Sequence, residues 1–152
     1  QFLFTASAFG LVTANNAMIA GAVGGCQAEV GSASAMAAAA AVEICGGTPN
    51  QAAEAFAMAL SNLLGLVCDP VAGLVEIPCV KRNVVGSVNA LACADMALAG
   101  LTNKIPADEV IGAMKRIGEN MPVQLRETGL GGLATTKTGL KMKIRIFGED
   151  MD

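Results

Sequence analysis

No charged side chain precedes Glu29. An uncharged stretch of that length, rich in Ala, Leu, Phe and Gly, must be tested first as a membrane span. Its polar content argues against one. Thr5, Ser7, Thr13, Asn15 and Asn16 interrupt it, as do Gly10, Gly21, Gly24 and Gly25. No Lys or Arg flanks its start, and the chain has no Trp or Tyr to form an interfacial belt. Small side chains let helix backbones approach closely, so the segment reads as tightly packed helices outside any membrane. A basic leader region is also missing from the start, so no signal peptide is visible.

The punctuation along the rest of the chain is that of helices. Ala, Leu and Met abound, and runs of β-branched residues are short. Val30 to Ile44 reads as an Ala-rich helix closed by Gly46 and Gly47. Thr48-Pro49-Asn50-Gln51 then offers an N-cap threonine, a proline at N1 and a glutamine at N3, a capping box opening a helix to about Leu64. Residues between Cys68 and Cys79 read as loop, and apolar periodicity resumes from Asn83 to Leu98. A further helix is predicted from Pro106 to about Gly118, with Asp108 and Glu109 complementing its dipole. A last one runs from Thr138 to Phe147. No repeat or linker is visible, so residues 1–152 are predicted to form one all-α domain, a compact bundle of Ala/Gly-rich helices.

A net charge of −3 offers no basic face to nucleic acid. Five cysteines are an odd number for a disulfide framework, and reduced thiols in a cytoplasm fit better. The chain opens without methionine inside an apolar pattern, which predicts that it is a piece of something larger.

Cys26, Cys68 and Cys79 stand in sharp-turning stretches: Gly-Gly-Cys-Gln-Ala-Glu-Val-Gly, Val-Cys-Asp-Pro-Val-Ala-Gly and Ile-Pro-Cys-Val-Lys-Arg-Asn. Glycine, proline and Asx turns fold backbone closely around a metal and aim N–H groups at sulfur, whereas a helix interior has already used those donors. Cys45 and Cys93 lie in apolar helical runs and read as core. The spacings match no short zinc or ferredoxin pattern, so buried structural thiols remain the alternative on local context alone.

The text around the cysteines adds more. Gly25-Cys26-Gln27-Ala28-Glu29-Val30-Gly31, Cys68-Asp69-Pro70-Val71-Ala72-Gly73, Pro78-Cys79-Val80-Lys81-Arg82-Asn83 and Arg126-Glu127-Thr128 resemble, in order and separation, the iron–sulfur-dependent L-serine dehydratases. The likeness covers essentially the whole chain and is to the C-terminal half of the α chain or α domain. It implies a [4Fe–4S] cluster on Cys26, Cys68 and Cys79, with one iron left open as a Lewis acid. It also implies L-serine as substrate, pyruvate and ammonia as products, and a β chain or N-terminal domain as partner in an oligomer. Single-chain family members often end in a cysteine that reaches the cluster. Here the end is Glu149-Asp150-Met151-Asp152, so the two-chain form is the closer likeness and self-inhibition by a tail cysteine is not expected.

The chemistry needs a base, and the chain has neither His nor Tyr. Glu29, Glu76, Glu127, Asp69 and Lys81 are the conceivable acceptors. Glu29 reads more simply as a helix-start residue and Asp69 as an Asx-turn former, so the base is expected outside these residues and the surface around the cysteines is expected to be open. Substrate-binding candidates are Arg82 and Arg126, each able to clamp a carboxylate, Asn16, which matches a family asparagine, and Thr128 beside a glycine nest. Two other readings stay open: a related lyase that removes sulfide from cysteine, and a non-catalytic helical oligomerisation module.

Overall fold

The computed structural model describes residues 1–148, so the tail expectation lies outside the described residues. Its helices are α1 (Phe2–Asn16), α2 (Gly21–Gly24), α3 (Ser32–Ile44), α4 (Pro49–Asn62), α5 (Cys79–Leu98), α6 (Ala107–Asn120) and α7 (Lys137–Phe147). No strand occurs among the described residues, and the all-α expectation holds. The N-terminal stretch folds as α1 and α2, and none of the described helices is long and apolar enough to cross a membrane.

α3 lies at the centre, packed by α1, α4 and α5, with α6 against α4, α1 and the turn that leads into α3. Ala35, Ala38, Ala39, Ala40, Ala41 and Val42 are all buried, so α3 is covered nearly all round, as a uniformly apolar helix must be. Alanine makes this possible by keeping the interhelical distance short. The same logic places Gly86 where α5 crosses the start of α3: a Cβ there would come within 2.9 Å of Val30 Cγ1. Ser34 Oγ instead donates to the Gly86 carbonyl at 2.6 Å. Larger side chains enter from the neighbours, and Phe9 of α1 stacks on Phe56 of α4 with ring centroids 5.1 Å apart.

Local signals located most helix ends. Thr48 Oγ1 accepts from the Gln51 N–H at 3.2 Å and Gln51 Oε1 accepts from the Thr48 N–H at 2.9 Å, the reciprocal box that opens α4. Two boundaries differ from expectation. Residues Gln27–Gly31 form a π-helical turn, so α3 proper begins at Ser32 rather than Val30. α5 begins at Cys79, four residues before Asn83, because helical backbone continues through Val80-Lys81-Arg82 despite their mixed polarity.

Cys45 is a correction: it is exposed. It follows the last residue of α3, where the chain turns toward Gly46 (φ 82), and the preceding Ile44 is also exposed. An apolar run does not bury its last turn once the partner helices have diverged. Cys93 is fully buried in α5, and burial pushes its thiol pKa up against an opposing hydrogen bond from Asn62.

Two helices keep large apolar faces exposed. Val80, Val84, Val88 and Leu91 run along one side of α5, and Leu3, Phe4 and Leu11 along α1, every one more than half exposed.

Cys93→Ser is expected to lower unfolding stability by about 1–3 kcal/mol, while Cys45→Ser changes it by no more than about 0.5 kcal/mol. Urea unfolding of the two variants measures the difference. A Cys45 substitution as costly as the Cys93 one contradicts the exposed placement.

Candidate metal centre

Three separate segments bring the turn cysteines together. Cys26 follows Gly25, whose φ of 76° favours glycine, and precedes the π-helical turn. Its neighbour Gln27 fixes that turn in place. The Gln27 N–H donates to Leu66 O at 2.8 Å, Nε2 donates to Met114 O at 3.1 Å, and Oε1 accepts from the Gly65 N–H at 2.9 Å. The local sequence shows this glutamine but not its role, since every partner lies at least 38 residues away. Cys68 sits in extended backbone bridged in parallel to Arg126: its N–H donates to Leu125 O and its carbonyl accepts from the Glu127 N–H, both at 2.8 Å. Cys79 is the first residue of α5, at the helix end where N–H groups favour negative charge.

All three thiols are buried, at 2%, 3% and 6% relative exposure, which corrects the expectation of an open surface around them. Cys26 and Cys68 share an apolar cluster with Val30, flanked by Leu63 and Leu66. Burial pushes the Cys68 pKa well above its ordinary range, and Cys26, Glu127 and Cys79 nearby push it further. Cys79 is also raised, by burial first and then by Cys26, against the favourable charge of Arg82. Cys26 and Cys79 thus lie near enough to Cys68 to raise its pKa.

The polar candidates separate in space. Arg82, on α5, is drawn inward: Nη1 donates to Asp69 Oδ1 at 2.7 Å and to Val67 O at 2.8 Å, and lies 3.9 Å from Cys26 Sγ. Burial works to lower its pKa, but the hydrogen bond and charge of Asp69, together with Cys26, outweigh it and hold it above the usual value. Asp69 is buried, and its other oxygen accepts from the Leu133 N–H at 2.7 Å. Arg126 is half-buried. Its Nη1 reaches Val23 O at only 3.5 Å, and its buried Nε has no hydrogen-bond partner among the described residues. Thr128 is exposed, its hydroxyl donating to Val123 O at 3.1 Å. Asn16 is exposed at the end of α1 and donates to Val12 O. Lys81 and Glu76 are exposed.

Gly21 shows the shape of the site. A Cβ at that position would lie 2.6 Å from Glu29 Oε2, 3.4 Å from Cys68 Sγ and 3.5 Å from Glu127 Oε2. Absence of a side chain thus leaves a small space walled by a thiol and two carboxylates. Glu127 itself has φ 67°, a conformation that costs a non-glycine residue energy and is held here by the bond of its N–H to Cys68 O. Among the described residues no three His, Cys, Asp or Glu side chains close on a single ion. The donor set is three soft thiols, suited to a thiophilic metal or an iron–sulfur group.

Residues 1–134 match the family model of the serine dehydratase alpha chain. This chain belongs to that family. All three cysteines, together with Asn16, Arg82, Arg126 and Thr128, fall inside the match, and α7 lies beyond it. Similar α-chain relatives include the probable L-serine dehydratase alpha chain of Latilactobacillus sakei, 78% identical over 151 residues, covering 99% of this chain and 72% of that protein. The probable alpha chain from Bacillus subtilis is 69% identical over 97% of this chain and 49% of its own length. The L-serine dehydratase alpha chain of Peptoniphilus asaccharolyticus is 56% identical over 91% of this chain and 48% of its own. The chain therefore spans about half the length of the latter two α chains.

The raised thiols carry a pH signature in the metal-free α-chain fragment. In the unfolded chain Cys68 and Cys79 ionise near pH 8.5, whereas the folded form keeps their protons to higher pH. Above that pH the unfolded state binds fewer protons, so stability falls as pH rises and is undiminished below it. The urea midpoint is expected to hold between about pH 7 and 8 and to drop by about pH 10, with the drop reduced in Cys68→Ala. A midpoint that rises over the same interval contradicts the burial of these thiols.

Proposed function

We propose that this chain forms the cluster-binding part of an L-serine dehydratase, acting with further polypeptide to deaminate L-serine to pyruvate and ammonia. The reading rests on one observation above all: three cysteines, 42 and 11 residues apart in sequence, are all buried, Cys26 and Cys79 lie near enough to Cys68 to raise its pKa, and Cys68 borders a small space left by Gly21. Cys26, Cys68 and Cys79 would hold a [4Fe–4S] cluster. When bound, such a group with three protein ligands supplies a Lewis-acidic iron that assists departure of the substrate hydroxyl.

The chain's own residues take the remaining tasks. Arg126 is the better candidate for the substrate carboxylate, since its buried Nε is unpartnered while Arg82 is committed to Asp69. Thr128 and Asn16 are secondary polar candidates, each with its hydroxyl or amide engaged on local backbone. In the overall reaction the α-C–H and β-C–O bonds break, the proton passes to a base and hydroxide leaves. The resulting aminoacrylate tautomerises to an imine, and water hydrolyses it to pyruvate and ammonia. We place the base on the missing part of the protein, a β chain or N-terminal domain seated on the exposed faces of α1 and α5, in a cytoplasmic oligomer. The clustering of Glu29 and Glu127 beside Cys68 supports a second reading, in which one of these carboxylates is the base.

Anaerobic reconstitution with iron and sulfide, with and without the missing half, tests the division of labour. Pyruvate from serine is expected only with both parts present, and Cys26→Ala is expected to lose the iron while keeping the fold. Turnover by the reconstituted fragment alone would assign the base to Glu29 or Glu127. Failure to take up iron would favour the helical module, and sulfide release from cysteine in preference to serine turnover would favour the desulfidase-type lyase.

A further inference from the structure

Arg82 touches each of the three cysteine-bearing segments. It belongs to the first turn of α5, three residues after Cys79. Its Nη1 donates to the carbonyl of Val67 at 2.8 Å and the carboxylate of Asp69 at 2.7 Å, the residues on either side of Cys68. The same nitrogen lies 3.9 Å from Cys26 Sγ, at the outer edge of N–H···S range. Asp69 extends the connection: Oδ2 accepts from the Leu133 N–H, and a Cβ on Gly132 would collide with that carboxylate. One guanidinium thus joins α5, the Cys68 segment and Cys26, and through Asp69 fastens the segment at 132–133.

We propose that Arg82 is a positioning residue that draws the three thiols together before any metal binds and donates to Cys26 once it is a ligand. The reasons are geometric and electrostatic. The three segments are otherwise tied by bonds that each join only part of the set, such as Gln27 to Leu66 and Val71 to Ile77. Arg82 is 16% exposed and Asp69 4% at the side chain, so the pair is shielded enough for its charge-assisted bonds to hold their geometry. Arg82 is therefore assigned to the architecture of the thiol site. The inference deepens the cluster reading but concerns an arrangement already present in the metal-free chain.

The test uses the full-length α chain, first metal-free and reduced, treated with dibromobimane, which bridges only thiols held within a few ångströms. Bridging of Cys26 to Cys68, identified by mass spectrometry, is expected in the native sequence. It should fall roughly fivefold or more in Arg82→Gln, the scale of losing one hydrogen bond to a charged group. Arg82→Lys should recover part of it and Asp69→Asn should lie between, while alkylation of exposed Cys45 stays unchanged. In the reconstituted protein, Arg82→Gln should also lower the cluster reduction potential, because a positive charge and a donor to sulfur are removed. If Arg82→Gln does not fold, Asp69→Asn and Arg82→Lys carry the comparison. Undiminished bridging in all folded variants, or no bridging in the native sequence, overturns the proposal. Bridging that depends on Arg82 in a protein that takes up no iron supports the positioning role and defeats the cluster reading, so the two fail separately.

Discussion

Close packing around α3 is the constraint on which the rest of the molecule depends. A helix buried on nearly every side cannot carry long side chains without forcing its neighbours apart, and α3 meets them with alanine, serine and valine. Each alanine contributes little apolar area, so cohesion comes from short interhelical distances and from larger residues such as Phe56, Leu60 and Met114 projected by other helices. Gly86 and Gly10 belong to the same arrangement. A Cβ at Gly10 would lie 2.8 Å from Cε of Met36 on α3, and could be accommodated by a shift of that flexible end.

The thiol site is built on the N-terminal end of that helix and inherits its rigidity. The π-helical turn before α3 carries Gln27 inward, where three hydrogen bonds join it to α6 and to the backbone after α4. Cys26 is therefore placed by the core. Cys68 and Cys79 are placed by less regular backbone, through the bridge to Arg126 and the start of α5. Burial away from water pushes the pKa of both thiols up, and the neighbouring Cys26 pushes them further. A site arranged this way favours the thiol form, and the charge of Arg82 offsets part of that preference at Cys79.

The exposed faces of α1 and α5 set the molecule in a larger context. An apolar stripe such as Val80, Val84, Val88 and Leu91 lies on the same helix that begins with Cys79. The α chains of the Bacillus subtilis and Peptoniphilus asaccharolyticus relatives are about twice as long as this chain.

What the sequence determined by itself was whatever is decided within four or five residues. The capping box at Thr48, the stop at Gly46 and the acidic first turn of α6 depend on contacts between near neighbours, and α4, α6 and α7 lie close to their predicted bounds. The cysteines worth attention were legible from the turns around them and from the family resemblance. Tertiary structure decided the rest. Cys45 and Cys93 sit in equally apolar text, yet one helix ends in solvent while the other crosses the core. Arg82 read as a carboxylate clamp and Asp69 as a turn residue because a sequence cannot show that their side chains meet across 13 positions. Gln27, Gly21 and Glu127 acquire meaning only beside partners distant in the chain, since burial and hydrogen-bond pairing depend on spatial neighbours rather than adjacent residues.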